Sequence, residues 1–386
     1  MVRVLEIIGK RPVGGVGTVL LNYQKFIDPE KVQMDYLIFG EQEEEFDRSV
    51  TALGSKVYTY PALSGRHMGR TKKYMEDFMG EHAAEYQVIH LHAPNIAFLV
   101  YPVVKKYGKP LVVHSHATLY AENKGKAIRN RILWGLFTGK DKKGETTFIG
   151  CSDAAGSFLF RDKPYTVLKN AIEKEPYLYD EKVRLETRAT YLGEEQSEQT
   201  LVVGNIGRMS QQKNQTYLID IFAEIKRQHP DSVLWLVGDG ETRPEVEQKV
   251  REAHLEKNVK FFGMVNNTRE LYQAMDVLVM PSLFEGLPMV GVEAQASGLP
   301  CVFSDAITRE VDIAEAICLP LSANPKIWAE NAIMAGCRYR NGSRAGAGGA
   351  STRHSYSEKL DELGFNIELE AKRLEQIYEN LSKNNR

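Results

Sequence analysis

Two glutamates, Glu285 and Glu293, lie eight positions apart in SLFEGLPMVGVEAQASGLP, residues 282–300, a stretch that is otherwise mostly apolar or small. Carboxylates avoid such surroundings unless they are paired, hydrogen-bonded or used to bind a ligand. Pro288 suits the first turn of a helix and Gly298 suits its end, which predicts a loop at Glu285 and a helix at Glu293. We therefore do not expect the two acids to face each other as a catalytic pair. The plainer alternative makes Glu285 a helix-dipole partner and Glu293 an exposed acid.

Two cations, Arg208 and Lys213, follow an apolar run in GRMSQQKN, residues 207–214. A guanidinium binds phosphate by its planar fork, an ammonium binds it as a point charge, and a helix starting here adds backbone N–H groups. These residues could clamp a diphosphate, or they could be two solvated surface charges. Their position at the carboxyl end of a predicted strand favours the clamp.

A glycine-rich turn lies in GKRPVGGVGTVLLN, residues 9–22, between the first predicted strand and a helix. Gly14, Gly15 and Gly17 would let backbone N–H groups approach an anion. The dinucleotide fingerprint is not met, because Leu20 occupies the place of its third glycine. The sequence alone leaves open an anion site and a tight turn that binds nothing.

Four histidines end two neighbouring predicted strands, His90 and His92 in VIHLHAP and His114 and His116 in VVHSHAT. Residues two apart on a strand share a face, so each pair could chelate a metal. No Asp, Glu or Cys at a recognisable spacing completes a ligand set. We therefore expect hydrogen-bonding roles and no bound metal.

Strand-like runs alternate with helical ones along the whole chain. Most of the strand-like runs are continuously apolar, which is typical of parallel strands covered on both faces by crossover helices. This pattern predicts an α/β protein with two doubly wound, Rossmann-like domains that face each other and bind ligands in the cleft between them. The predicted strands are 2–8, 34–40, 56–60, 87–93, 110–116, 147–152 and 165–171, then 200–207, 233–240, 259–265, 276–282 and 300–305.

The domain boundary is predicted in a charged stretch without an apolar strand, residues 173–199. We expect an N-terminal domain at 1–172, a helix and a linker at 173–199, a C-terminal domain at 200–364, and a helix at 365–386 that packs back toward the N-terminal domain. Residues 338–355 are rich in Gly, Ala, Ser and Arg, a composition typical of a mobile loop.

Bulk properties exclude several classes of protein. The 386 residues carry a formal net charge of −2, which argues against bulk nucleic-acid binding, and the four cysteines have no CxxC spacing. The longest apolar run, 96–104, is far shorter than the roughly 20 residues of a membrane span. We expect a cytoplasmic protein. The basic segments 63–73 and 117–131 suit an anionic lipid diphosphate or a peripheral contact with the inner face of the membrane, and solvated loop charge is the equally plain alternative.

The motifs together resemble the family 4 glycosyltransferases, retaining enzymes of the GT-B fold, and most closely the capsular and exopolysaccharide branch. The resemblance is nearly full length and runs through VLEIIG, GGVGTVLLN, VIHLHAP, VVHSHAT, LKNAIE, VGNIGRMSQQKN, LWLVGDGE, AMDVLVMPSLFEGLPMVGVEAQASGLPCVFSD and GFNIELEAKRLEQIY. The family's E-x7-E signature falls on Glu285 and Glu293.

The resemblance implies transfer of a hexose from a nucleotide diphosphate sugar, expected to be a UDP-sugar, to an acceptor hydroxyl on a glycan or lipid-linked precursor. It implies a metal-independent enzyme of class EC 2.4 without a cofactor. It places Arg208 and Lys213 on the diphosphate, Glu285 on the transferred sugar and Glu293 on the ribose. The further positions it implicates are His116 at the sugar-binding face, and Gly15, Val16, Gly17, Gly286, Leu287, Pro288 and Met289 at the donor.

Three other functions are alternatives to sugar transfer. A nucleotide-sugar epimerase can share two α/β domains but consumes its substrate without an acceptor. A sugar phosphorylase would need a lysine carrying pyridoxal phosphate, and no stretch singles one out. A non-catalytic subunit that binds nucleotide sugars would not need the intact set of two cations and two glutamates. The sequence makes no prediction of the oligomeric state.

Overall fold

The computed structural model forms two units by internal contacts, Met1–Ala171 with Gly364–Arg386, and Ile172–Leu363. All statements below concern the residues that it describes. These residues are 1–9, 15–40, 44–61, 68–121, 123–141, 144–193, 199–314, 316–342, 353 and 356–384, with side chains undescribed at 339–342.

The first unit is built on a parallel sheet of seven strands in the order β3-β2-β1-β4-β5-β6-β7. Helices that each bury apolar side chains cross between the strands, so both faces of the sheet are covered and its central strands are buried. The strands are β1 Val2–Ile8, β2 Val32–Phe39, β3 Val57–Tyr60, β4 Val88–Leu91, β5 Leu111–Ser115, β6 Thr147–Gly150 and β7 Thr166–Val167. The helices are α1 Gly15–Phe26, α2 Glu44–Ala52, α3 Met68–His82, α4 Ala97–Lys106, α5 Lys124–Lys140 and α6 Asp153–Phe160.

The second unit repeats this plan with a parallel sheet in the order β10-β9-β8-β11-β12-β13. Its strands are β8 Leu201–Ile206, β9 Ser232–Val237, β10 Val259–Gly263, β11 Val277–Met280, β12 Cys301–Ser304 and β13 Ile317–Leu319. Its helices are α7 Glu181–Leu192, α8 Gln215–Gln228, α9 Arg243–Glu252, α10 Thr268–Ala274, α11 Met289–Ala296, α12 Pro325–Gly342 and α13 Ser357–Glu362.

The last helix, α14 Ile367–Asn384, belongs to the first unit and packs against α1, β1 and β4. Ile367, Ala371, Leu374 and Tyr378 are buried along one face of it, at the helical spacing that the sequence shows. Tyr378 thereby reaches the central strands of the first sheet.

Two expectations need correction. The helix expected in 173–199 is α7, but the described part of this stretch, 173–193 and 199, belongs to the second unit and α7 packs on α10, so it is not a linker between the two units. Arg188 of α7 is buried and donates to the carbonyls of Ala274 and Thr200 and to Asp276, which ties the helix down.

The segment 338–355 is also not wholly a mobile loop. Helix α12 continues to Gly342, and Arg353 is 7% exposed and donates to the carbonyls of Tyr272, Gln273 and Met275. The expectation for residues 343–352 lies outside the described residues.

None of the described helices combines the length and the apolar character needed to cross a bilayer.

Candidate functional site

The second sheet has a switch point between β8 and β11. The chain leaves β8 toward β9 on one side and later returns to β11 on the other side. In a doubly wound sheet the loops at the carboxyl ends of two such strands diverge and leave a crevice for a ligand. The loop after β8 carries Arg208 and Lys213, and the loop after β11 carries Glu285. The residues predicted from the sequence therefore lie at the position where this fold binds ligands.

Lys213 and Glu285 form an ion pair across this switch point. The Lys213 Nζ lies 2.6 Å from the Glu285 Oε1, and the two side chains are 17% and 8% exposed. Gln212 donates from its amide to the Glu285 Oε2 at 3.2 Å and to the carbonyl of Phe284 at 3.0 Å. The Glu285 carboxylate is thus held by one cation and one amide, and it holds the Lys213 ammonium in place in return.

Arg208 is by contrast a largely free cation. Its side chain is 69% exposed, and its Nε lies 3.0 Å from the Oε2 of Glu241, which is itself 55% exposed. Surface pairs of this kind contribute little to stability, about 0–1 kcal/mol. The Arg208 guanidinium can therefore leave Glu241 for an anionic ligand at small cost.

Two glycines position the backbone that carries Arg208. A Cβ on Gly238 would lie 2.2 Å from the carbonyl oxygen of Gly207, and a Cβ on Gly240 would lie 2.2 Å from that of Met209. This close approach lets Met209 donate its N–H to the carbonyl of Asp239 at 2.9 Å. Gly238 and Gly240 after β9 must therefore be glycines, because the loop after β8 leaves no room for a Cβ at either position.

The turn of residues 286–289 connects Glu285 to helix α11. Gly286 is partly buried, Leu287, Pro288 and Met289 are buried, and Pro288 directly precedes the helix, which begins at Met289. The helix ends before Gly298, whose φ of 66° lies in the left-handed region that glycine favours. The predicted separation of Glu285 in a loop from Glu293 in a helix is thus what the structure has.

Glu293 is not the exposed acid of the plainer alternative. It is partly buried, and the Tyr272 hydroxyl donates to its Oε2 at 2.7 Å. Burial raises the pKa of the Glu293 carboxyl, and hydrogen bonds from Tyr272 and Tyr177 oppose that rise. A carboxylate held in this way is a strong acceptor for ligand hydroxyls.

The remaining predicted residues lie in the first unit. Gly15, Val16 and Gly17 form the first described turn of α1, after β1, and residues 10–14 of the glycine-rich stretch lie outside the described residues. His116 follows β5. Nothing in the first unit's geometry by itself assigns a ligand to the start of α1.

The four histidines form one cluster. The ring centroids of His90 and His92 lie 4.1 Å apart, as do those of His114 and His116. Candidate ligand atoms of His90, His92 and His114 lie within 4.8 Å of one another. Both ring nitrogens of His92 are already hydrogen-bonded, however, at 2.7 Å to Glu6 and at 2.8 Å to His116. In this arrangement neither ring nitrogen of His92 is free to bind a metal.

Comparison with known proteins shows which proteins this chain resembles. A model of the group 1 glycosyl transferases matches residues 200–334, within the second unit. EpsF of Bacillus subtilis (strain 168), which bears the name of a glycosyltransferase, is 29% identical over 385 residues, 97% of this chain and 96% of EpsF. Residues 200–334 therefore form a group 1 glycosyl transferases domain, and the chain as a whole is similar to glycosyltransferases over nearly its full length.

One further relative and one solved structure are also similar to this chain. The Escherichia coli UDP-Gal:alpha-D-GlcNAc-diphosphoundecaprenol alpha-1,3-galactosyltransferase is 27% identical over 232 residues, 57% of this chain and 58% of that enzyme. The crystal structure of Anabaena HepE in complex with UDP matches with a TM-score of 0.76 and 19% identity, over 99% of this chain and 100% of HepE. The chain thus has the predicted GT-B fold of two Rossmann-like domains.

Sequence reasoning missed several residues that support the site of the glycosyltransferase. Gln212, Gly238 and Gly240 hold the two loops at the switch point, and Tyr272 holds Glu293. The glycines had a readable signal, since a Gly-x-Gly after an apolar strand indicates close backbone approach. The partners of Glu285 and Glu293 come from distant parts of the chain, and no local sequence pattern indicates them.

Proposed function

We propose that the protein is a retaining, metal-independent glycosyltransferase of family 4 that transfers a hexose from a UDP-sugar to an acceptor hydroxyl. The observation that carries the proposal is the pair of cations at the switch point of the second sheet, one held by Glu285 and one free to move. HepE, of the same fold, has been crystallised with UDP-glucose, which supports a uridine donor.

The chemical task is to stabilise a departing diphosphate while the sugar becomes oxocarbenium-like. Arg208 would bind the diphosphate by its fork, and Lys213 would add a fixed positive charge, so that developing negative charge on the leaving oxygens is balanced. The backbone amides of residues 286–289 would add donors at the start of α11. Two protein cations supply the charge that a metal ion would otherwise provide.

The two glutamates would bind the donor at different points. Glu293, already holding the Tyr272 hydroxyl, would accept from the ribose hydroxyls, and Glu285 would accept from hydroxyls of the transferred sugar. Glu285 is engaged by Lys213 and Gln212, so it is oriented for hydrogen bonding and is not proposed as a nucleophile. The leaving phosphate would instead help deprotonate the acceptor on the same face, which retains the anomeric configuration.

The acceptor is proposed to be a lipid-linked or polysaccharide precursor of an exopolysaccharide or capsule. The E. coli relative is named as a galactosyltransferase of an alpha-D-GlcNAc-diphosphoundecaprenol, which supports an acceptor of this class. The test is to incubate the protein with a panel of nucleotide sugars and a polyprenyl diphosphate sugar and to analyse the products. An acceptor-linked sugar supports the proposal, whereas an epimerised donor formed without acceptor would contradict it.

A peripheral membrane contact fits one helix of the first unit. In α5 the side chains of Ile128, Ile132 and Leu136 are 63%, 59% and 52% exposed. Their spacing of four residues puts them on one face of the helix, which has no acidic residue. Exposed basic side chains flank this stripe, Lys124 and Arg131 on one side and Arg129 and Lys140 on the other. We propose that α5 lies in the interface of an anionic membrane, as basic amphipathic helices do.

Vesicle sedimentation tests this contact. The protein should bind vesicles that contain phosphatidylglycerol more strongly than vesicles of phosphatidylcholine alone. Replacing Ile128, Ile132 and Leu136 together by serine should abolish that binding. The control is Met334→Ser, which removes an apolar side chain, 60% exposed, from α12. Equal binding by the triple variant, or equal loss in the control, would contradict the assignment.

A further inference from the structure

A buried carboxylate lies under the four histidines of the first unit. Glu6 lies on β1 directly beside His90 of β4, and β5 follows with His114. Glu6 is 0% exposed. Buried carboxylates need hydrogen-bond donors or cations around them. The donors of Glu6 therefore determine where the protons of this cluster lie.

Glu6 is ionised and accepts from two sides. Burial alone would raise the pKa of its carboxyl, but the adjacent His90 and His92 outweigh that and lower it to about 2. The Tyr378 hydroxyl donates to Oε1 at 2.8 Å, and the His92 Nε2 lies 2.7 Å from Oε2. An ionised carboxylate only accepts hydrogen bonds, so the His92 Nε2 carries a proton.

The proton on His92 decides the tautomer of His116. Burial and the neighbouring His90 lower the pKa of His92 to about 4, so the ring is neutral at neutral pH and its Nδ1 is an acceptor. The His116 Nε2 lies 2.8 Å from that Nδ1 and must donate to it. Burial also lowers the pKa of His116 well below its ordinary value, so this ring is neutral as well. Its Nδ1 then has a lone pair, and among the described residues it has no hydrogen-bond partner.

The second hydrogen-bond chain from Glu6 runs through the Tyr378 hydroxyl to His90. The Tyr378 hydroxyl donates to Glu6, so its oxygen accepts from the His90 Nδ1 at 2.6 Å. The His90 Nδ1 therefore carries a proton. The contacts of one carboxylate thus fix a ring proton on each of two neighbouring imidazoles, at the Nε2 of His92 and at the Nδ1 of His90.

We propose that Glu6 and His92 are positioning residues that hold His116 as the neutral Nε2–H tautomer, so that its Nδ1 accepts a hydrogen bond from a hydroxyl of the bound substrate. The identity of that substrate rests on the proposed function. The tautomer itself follows from contacts within the first unit, so the two can fail separately.

The first test reads the ring protons of the unaltered protein, and substitutions serve only to assign its signals. The chain has nine histidines, so ¹⁵N-histidine labelling of the full protein gives a spectrum that single His→Gln variants can assign. At neutral pH we expect His116 to be protonated on Nε2 and His90 on Nδ1. A His116 ring that is protonated on Nδ1, or on both nitrogens, would overturn the proposal.

The second test changes the relay. Glu6→Gln keeps the shape but removes the charge, and His92→Gln removes the middle ring. We expect either folded variant to shift the tautomer of His116 and to lower transfer about 10-fold, the scale of one lost hydrogen bond. The control is His82→Gln, because His82 makes a matched 2.7 Å contact with Glu85 outside the cluster.

The outcomes separate the two ideas. An unchanged His116 tautomer and unchanged transfer in both relay variants would refute the positioning role. A shifted tautomer with transfer that His116→Gln also leaves intact would refute the substrate contact. The expected tautomers in a protein that transfers no sugar would support the relay and contradict the proposed function.

Discussion

The ion pair of Lys213 and Glu285 allows the donor clamp to be tested by stability and activity together. Replacing Lys213 by methionine removes the ammonium and leaves the Glu285 carboxylate, 8% exposed, with the Gln212 amide at 3.2 Å. Breaking a fully buried pair costs about 3–5 kcal/mol. Because the Lys213 side chain is 17% exposed and water can reach it, we expect about 2 kcal/mol. That corresponds to a fall in Tm of roughly 4–8 °C for a domain of this size.

Arg208 supplies the contrast. Its partner Glu241 is half exposed, so Arg208→Met should change the Tm by less than about 2 °C. Both variants should nevertheless lower sugar transfer by about 10²-fold or more, because each loses a charge that stabilises the leaving diphosphate. Calorimetry and product formation under the same conditions measure the two effects.

A double variant separates the two roles of Lys213. Lys213→Met combined with Glu285→Gln removes both charges, so most of the lost Tm should return while transfer stays low. If Lys213→Met transfers sugar within a few-fold of the unaltered protein, the clamp is refuted. If the double variant melts as low as the single one, the buried pair is not the cause of the instability.

The remaining predictions concern the ribose contact, the metal and the pH. Glu293→Gln should weaken UDP binding about 10-fold with little change in Tm, because the Tyr272 hydroxyl can still donate to a carboxamide; unchanged affinity by titration calorimetry would exclude the ribose role. Transfer should survive EDTA, and activity restored only by added Mg²⁺ would refute metal independence. The folded-state pKa of His92 is lowered from 6.5 to about 4, so the unfolded chain takes up this proton first. His92 should therefore contribute a fall of about 3 kcal/mol in the free energy of unfolding between about pH 6.5 and 4, and His114 and His116 should add to it because burial lowers their pKa values as well. His92→Gln should reduce the slope measured in urea titrations.

The strands were largely predictable because parallel strands covered on both faces read as apolar runs. Residues 2–8 match Val2–Ile8, and 276–282 contain Val277–Met280. Strand β13 was missed, since it has three residues that are all only partly buried at the sheet edge. The helix expected in 173–199 is α7, but its place in the second unit was not predicted because Arg184 and Arg188, and not an apolar face, attach it to Asp276.

The candidate site was predictable in position and not in its contacts. Arg208, Lys213 and Glu285 follow strands, and strand ends meet at a switch point. Glu285, the partner of Lys213, is 72 residues away in sequence, and no local sequence pattern predicts such a contact. The histidine cluster likewise needs Glu6 and Tyr378 from opposite ends of the chain. The burial of Arg353 was not predicted because the residues around it have the low-complexity composition of a mobile loop.

The most direct measurement of the central claim compares the affinities of UDP and UMP. If Arg208 and Lys213 hold the donor diphosphate, the unaltered protein should bind UDP at least about 10-fold more tightly than UMP. Arg208→Ala and Lys213→Ala should each reduce that preference while affecting UMP less. Equal affinities for UDP and UMP in the unaltered protein, or a preference that survives both substitutions, would contradict the account.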